Sequence, residues 1–350
     1  MRFASMYKNY QCLILFLFLF LCGGCGSFTL IELNNCATVI GLPGPEDMAL
    51  DVSGGRTPRL IVSLQERRKY NPGGEFLEPG SIVMVPLENG YPGTPRKFNV
   101  LNRDDFPFHP HGIDLVETRS GLLLYVINHA LQTNHSIEVF RVDADNLVFL
   151  NRLRSSYLVH PNDLVALADG QLYVSNDSLQ TGMLLNMFGN FFSLGWSNVV
   201  RYDPFTRSWA IAVSGLNFAN GVEVREDRLY VAATIDEGIH EYRRDPVTGQ
   251  VFEKVNYYDV NSGVDNLTWA DDTHLLVAAH PDIYAFLDHV EDAESHSPSE
   301  VYRVDVFSGK IDRIFADDGA LIDASSTAIQ WNNRLYISQV FDPELLHCSL

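Results

Sequence analysis

The chain has 350 residues, 46% of them apolar and 11% aromatic, enough to bury a large core and unlike a disordered composition. Its formal charge of −19 argues against nucleic acid as a partner, because phosphate binding needs basic stripes. Such a charge suits a soluble protein and tolerates cations, but does not by itself indicate a metal site.

Arg2 and Lys8 precede an apolar run, Cys12–Cys22, of signal-peptide length, and no charge follows until Glu32. Three readings fit residues 1–31: a cleaved signal peptide, a retained signal-anchor, or a lipoprotein leader ending at Gly23-Gly24-Cys25. The third departs from pattern, with Cys22 where Leu is expected. Each routes residues 32–350 into the secretory pathway, secreted or anchored with the domain outside. Cys12, Cys22 and Cys25 fall in the leader, leaving Cys36 and Cys348 as a natural disulfide pair in an oxidising compartment.

Six segments then share one plan: Glu46–Leu64, His111–Asn128, Tyr157–Asp177, Asn220–Thr234, Asp265–Ala279 and Ser325–Ser338. Each begins with a polar residue or two, runs into an alternating strand, turns through Gly, Asp or Asn, and ends in a β-rich strand. Further strand signals lie between them, at Ser81–Pro86, Ser136–Val142, Ser197–Tyr202, Gly238–Arg243 and Glu300–Val306. The spacing, roughly 45 to 65 residues, is that of propeller blades. It predicts an all-β, six-bladed propeller with four-stranded blades, closed by an N-to-C-terminal disulfide and carrying a few short helices on one face. Two stretches interrupt the plan. Thr181–Trp196 is strongly apolar and fits either a buried helix or one that meets a membrane, a lipid particle or a pocket. His289–Pro298 is polar and predicts a solvated, lid-like loop.

The innermost strand of a blade starts at the central channel, so the first residues of the repeats converge on one axis. They are Glu46-Asp47, His111, Asn162-Asp163, Asn220 and Asp265-Asn266. An Asp or Asn before a strand is commonly a turn or cap residue; the same position in four repeats is oxygen chemistry suited to a hard cation such as calcium. His111 stands in the ring and His129 ends the same hairpin, so one can orient the other as a base acting on water. His109 with His111 is an alternative transition-metal pair, disfavoured by the oxygen ring. Among the glycosylation sequons Asn134 is the best acceptor; Asn266 faces the channel and Asn176 ends a strand.

The motifs Gly44-Pro45-Glu46-Asp47, His109-Pro110-His111-Gly112-Ile113, Val126-Ile127-Asn128-His129, Asn162-Asp163, Asn176-Asp177, Phe218-Ala219-Asn220-Gly221, Val264-Asp265-Asn266, His280-Pro281 and Cys348-Ser349-Leu350 occur in order. Together they resemble the paraoxonase/arylesterase family. The resemblance implies two calcium ions: a catalytic one held by Glu46, Asn162, Asn220, Asp265 and Asn266, and a structural one held by Asp47, Asp163 and the carbonyl of Ile113. It implies hydrolysis of lactones and aryl esters, with His111 and His129 activating water, Asp265 as rival base or nucleophile, and Phe218 in the pocket wall. Ser178 and Ala279 depart from the His and Cys that the family's vertebrate members carry at those places. Relatives on this fold also include non-catalytic, membrane-anchored chaperones or assembly factors, the alternative reading. A gluconolactonase-like or strictosidine-synthase-like propeller is a more distant one.

Overall fold

The alternation in each repeat becomes a pair of antiparallel strands because period-two side chains bury one face against each neighbouring sheet. The computed structural model describes residues 28–69, 76–130, 135–179 and 195–350. Within Ile31–Leu350 six sheets are formed, and their innermost strands are Asp47–Asp51, Pro110–Thr118, Pro161–Ala166, Ala219–Arg225, Gly263–Trp269 and Ser325–Trp331. Each touches the next, and the sixth returns to the first. The predicted six-bladed propeller is therefore present.

Blades 2 to 5 each take four consecutive antiparallel strands; blade 2 gains an outer parallel strand, Asn99–Leu101. In blade 1 two short strands, Tyr91–Pro92 and Arg96–Lys97, share the fourth position against Ser81–Glu88. Blade 6 is closed by the N-terminal strand Asn34–Ile40, antiparallel to Glu344–Ser349 with Thr38 opposite Leu346. Cys36 and Cys348 form a disulfide in this seam, with Cα atoms 4.1 Å apart.

The core is divided into six apolar clusters, each between two adjacent blades. Leu60 and Val62 of blade 1 pack with Tyr336 and Leu345 of blade 6, and Tyr230 and Ile239 of blade 4 with Leu275 and Val277 of blade 5. Each fully buried aliphatic side chain contributes about 2 kcal/mol, so every blade is held by both neighbours.

The expected loop at His289–Pro298 is corrected at its start. Ile283–Glu291 is a helix, whose N-cap Asp282 accepts hydrogen bonds from the Tyr284 and Ala285 amides. His289 lies inside it and is fully buried. Arg68 explains the burial: its Nη1 is 2.6 Å from Asp342 Oδ1, and its Nη2 donates to the His289 carbonyl at 2.8 Å. His289, Asp323 and Asp342 are close enough to share a metal, but the Arg68 guanidinium already supplies positive charge there. The leader (residues 1–27), Asn134 and Thr181–Leu194 lie outside the described residues. Among the described residues no helix is long and apolar enough to cross a membrane.

Candidate metal and catalytic centre

Consecutive residues of a regular strand point to opposite faces, so pairs such as Asn162-Asp163 could not both face the axis without a distortion. Five blades supply one. The pairing of their first two strands slips between Pro110 and Ile113, Pro161 and Leu164, Ala219 and Val222, Val264 and Leu267, and Ser325 and Ala328. Each slip is a bulge that brackets the ring residues, and bulges re-aim side chains. Two glycines let neighbouring inner strands approach at the same level. A Cβ on Gly112 would lie 2.5 Å from the Asn162 carbonyl oxygen, and one on Gly221 2.7 Å from that of Asp265.

The ring residues Glu46, Asn162, Asn220, Asp265 and Asn266 are all buried, none more than 7% exposed. Their hydrogen bonds engage one end of each side chain. Asn266 Nδ2 donates to Glu46 Oε1 at 3.1 Å and to Thr327 Oγ1 at 3.0 Å, while Ser326 Oγ donates to the same Glu46 oxygen at 3.0 Å. Asn220 Nδ2 donates to Thr234 Oγ1 at 3.2 Å, and Asn162 Nδ2 to Asp177 Oδ2 at 3.4 Å. Asp265 Oδ2 meets His280 Nε2 at 2.9 Å. What remains is four buried oxygens with no hydrogen-bond partner: Glu46 Oε2, Asn162 Oδ1, Asn220 Oδ1 and Asn266 Oδ1. An orphaned buried acceptor costs about 1–3 kcal/mol, so four of them, on blades 1, 3, 4 and 5, call for a donor of positive charge. The set is all oxygen and fits calcium.

Deeper in the channel, Asp47 Oδ2 accepts from the Ile113 amide at 2.6 Å, which seats that peptide on the carboxylate. Asp163 Oδ2 accepts from the Val222 amide at 2.8 Å, tying blade 3 to blade 4. Burial pushes both carboxyls well above the usual range; Glu46 adds to the push on Asp47, and Asp47 to that on Asp163. Burial also raises Asp265, with His280 opposing it. Glu46 behaves differently. Burial works against its charge, but His111 and Arg67 outweigh it and hold the carboxyl down at about 2. Acidic groups thus crowd one narrow channel, the condition that a resident cation relieves. Below them the channel opens into a cavity of about 210 Å³, lined by all six inner strands and including Asp114 and Glu223.

The histidines meet as the hairpin geometry suggested. His111 Nδ1 and His129 Nε2 share a hydrogen bond of 2.8 Å, and His111 Nε2 lies 3.5 Å from Glu46 Oε2. His109 does not join His111: its Nδ1 bonds Gln65 Oε1 at 3.0 Å and its ring packs on Phe76. Phe218, half-buried two residues before Asn220, has a left-handed backbone with φ of 60°, and its carbonyl accepts the Thr234 amide at 2.9 Å. Ser178 and Ala279 are buried.

Several contributors were not singled out in the sequence. Ser326 and Thr327 occupy the sixth repeat's ring position, and Thr327 Oγ1 also donates to Asp47 Oδ1 at 2.9 Å. Their place in the repeat was visible; their weak ligand chemistry hid them. Arg67, 3.7 Å from Glu46 Oε2, and His135, 2.8 Å from His129, come from connections between second and third strands, where no repeat pattern exists.

The arylesterase family model matches residues 73–350. Human serum paraoxonase/arylesterase 1 is 27% identical over 336 residues, covering 91% of this chain and 90% of the relative. Human serum paraoxonase/lactonase 3 is 28% identical over 340 residues with the same coverage. Among solved structures, a gluconolactonase from Xanthomonas campestris matches with a TM-score of 0.55 at 15% identity, covering 92% of this chain and 93% of the other. The calcium-binding protein regucalcin from Agrobacterium tumefaciens matches with a TM-score of 0.52 at 12% identity and the same coverage. These two show the fold alone.

Proposed function

Since the chain belongs to the arylesterase family, we propose that it is a calcium-dependent hydrolase of lactones and aryl esters. The observation that carries this reading is the set of four buried oxygens without hydrogen bonds, one of them facing the His111–His129 pair. Glu46, Asn162, Asn220, Asp265 and Asn266 would hold the catalytic ion, and Asp47, Asp163 and the Ile113 carbonyl a structural one. When bound, the catalytic ion supplies Lewis acidity toward the ester carbonyl and the charge that develops on its oxygen.

The chain's own residues do the rest. His111 presents Nε2 beside Glu46 and takes a proton from water, while His129 holds its Nδ1. Asp265 is the rival base or nucleophile, with its second oxygen kept in place by His280. Phe218 forms part of the apolar wall that receives the aryl group or lactone ring. The Cys36–Cys348 bond supports a secretory location, where thiols oxidise. The N-terminal segment and Thr181–Trp196 are the proposed contacts with a membrane or lipid particle.

Phenyl acetate and a panel of lactones, each assayed with calcium and with chelator, test the reading. Turnover is expected only with calcium, and His111→Gln and Asp265→Ala are expected to depress it. Absence of turnover with calcium bound would point to the non-catalytic chaperone or assembly role.

A further inference from the structure

His129 has both ring nitrogens committed to other imidazoles. Its Nε2 meets His111 Nδ1 at 2.8 Å, and its Nδ1 meets His135 Nδ1 at 2.8 Å. The rings stand 4.9 and 4.7 Å apart, centre to centre. His160 lies near, with its ring 5.9 Å from those of His129 and His135, but its Nδ1 is taken by Asp177 Oδ1 at 2.6 Å. Burial, then the neighbouring histidines, hold His129 far below its ordinary pKa, so it is a neutral ring with one N–H for two hydrogen bonds.

That single hydrogen couples the three rings. If it sits on His129 Nε2, it is donated to His111 Nδ1, and a neutral His111 must carry its own hydrogen on Nε2. In that arrangement the nitrogen facing the ring oxygens has no lone pair. If it sits on His129 Nδ1, it is donated to His135 Nδ1; His129 Nε2 then accepts from His111 Nδ1–H, and His111 Nε2 is bare. Only the second arrangement lets His111 act as a base.

We infer that His135 is a positioning residue: its Nδ1 accepts the His129 Nδ1–H and so locks the three-ring chain in the form that leaves His111 Nε2 bare. This rests on the reading of His111 as the base. Glu46 Oε2, 3.5 Å from that nitrogen, draws the hydrogen the other way, so the lock has an opposing pull to overcome. His135 is buried and directly precedes the strand Ser136–Asp143, which gives the acceptor a fixed position.

The test combines a tautomer readout with a paired substitution in the calcium-loaded full chain. Nitrogen NMR of ¹⁵N-histidine-labelled protein should show His129 protonated at Nδ1 and His135 at Nε2. His135→Leu, which removes the acceptor, should lower kcat on the order of 10- to 100-fold with KM and calcium affinity unchanged. His135→Asn places Oδ1 where Nδ1 stood and should restore most of the loss, as a structural role for the ring would not. A spectrum with His129 protonated at Nε2, or an undiminished kcat in His135→Leu, overturns the inference. Should the chain hydrolyse no ester at all, the wild-type nitrogen spectrum still decides the tautomer lock, independently of the proposed function.

Discussion

Asn266 donates its amide to Glu46 Oε1 at 3.1 Å across 220 residues of chain. The contact joins blade 5 to the entrance of blade 1 and decides which atoms are left over: Asn266 Oδ1 and Glu46 Oε2, both without a hydrogen bond. Ser326 supports the same Glu46 oxygen from blade 6. Ser326→Ala is therefore expected to weaken calcium binding by roughly 10-fold or more through loss of orientation, since Ser326 itself leaves the orphaned oxygens intact. Titration calorimetry measures this; an unchanged affinity would show that Glu46 needs no such support.

Calcium should act as a stabilising ligand. Glu46, Asp47, Asp163 and Asp265 are buried together, and burial pushes the last three up. At 100 times its dissociation constant, an ion bound only by the folded state adds about 2.7 kcal/mol. Tm should rise with calcium concentration and fall in chelator. A melting temperature indifferent to calcium would count against a bound ion.

The helix Ile283–Glu291 should be clamped most firmly in mildly acidic solution. Burial opposes charge on His289, but Asp342 and the Ser295 carbonyl outweigh it and raise its pKa above 6.5. That stability is complete below pH 6.5 and lost as pH rises through the raised value. Asp342 moves oppositely: burial favours its neutral form, but His289 and Arg68 hold its pKa below 3.8. Its contribution is complete above pH 3.8 and lost as pH falls through the depressed value. Both are therefore present in full between pH 3.8 and 6.5. Hydrogen exchange of the helix amides should be slowest there, and Asp342→Asn should flatten the profile. An exchange profile that follows only the intrinsic chemistry of amides would remove the clamp.

Gly112 is the point where blade 2 presses on blade 3. A methyl group there would overlap the Asn162 carbonyl and sit 2.8 Å from Asp163 Cα. Gly112→Ala should cost about 1–3 kcal/mol and displace ligands of both proposed ions. Urea denaturation with and without calcium checks it, and the loss should be larger with calcium present.

Breaking the Cys36–Cys348 bond frees the strand that closes blade 6. The two cysteines are 312 residues apart, so the bond constrains nearly the whole unfolded chain. Cys36→Ser should cost on the order of 2–5 kcal/mol, measured by denaturation under oxidising conditions. An equal midpoint in wild type and variant would show that pairing alone closes the ring.

Much of this protein is local in the sequence. The period-two alternation, the turn residues and the polar lead of each repeat specify six blades, because strand patterning depends only on neighbours along the chain. The ring positions Glu46-Asp47, His111, Asn162-Asp163, Asn220 and Asp265-Asn266 follow from the same register, and the two cysteines outside the leader suggest their own pairing. The tertiary structure decided the rest. The bulges that turn both members of Asn162-Asp163 inward depend on the strand opposite. The choice of which oxygen of Glu46 or Asn266 stays free depends on hydroxyls and amides from blades far away in sequence. His135 and Arg67 lie in connections without periodicity, and His289 is the one buried residue of its helix, where Arg68 and Asp342 converge on it. Orphaned oxygens from four blades line one channel only when six inner strands close around it, which no single repeat can do.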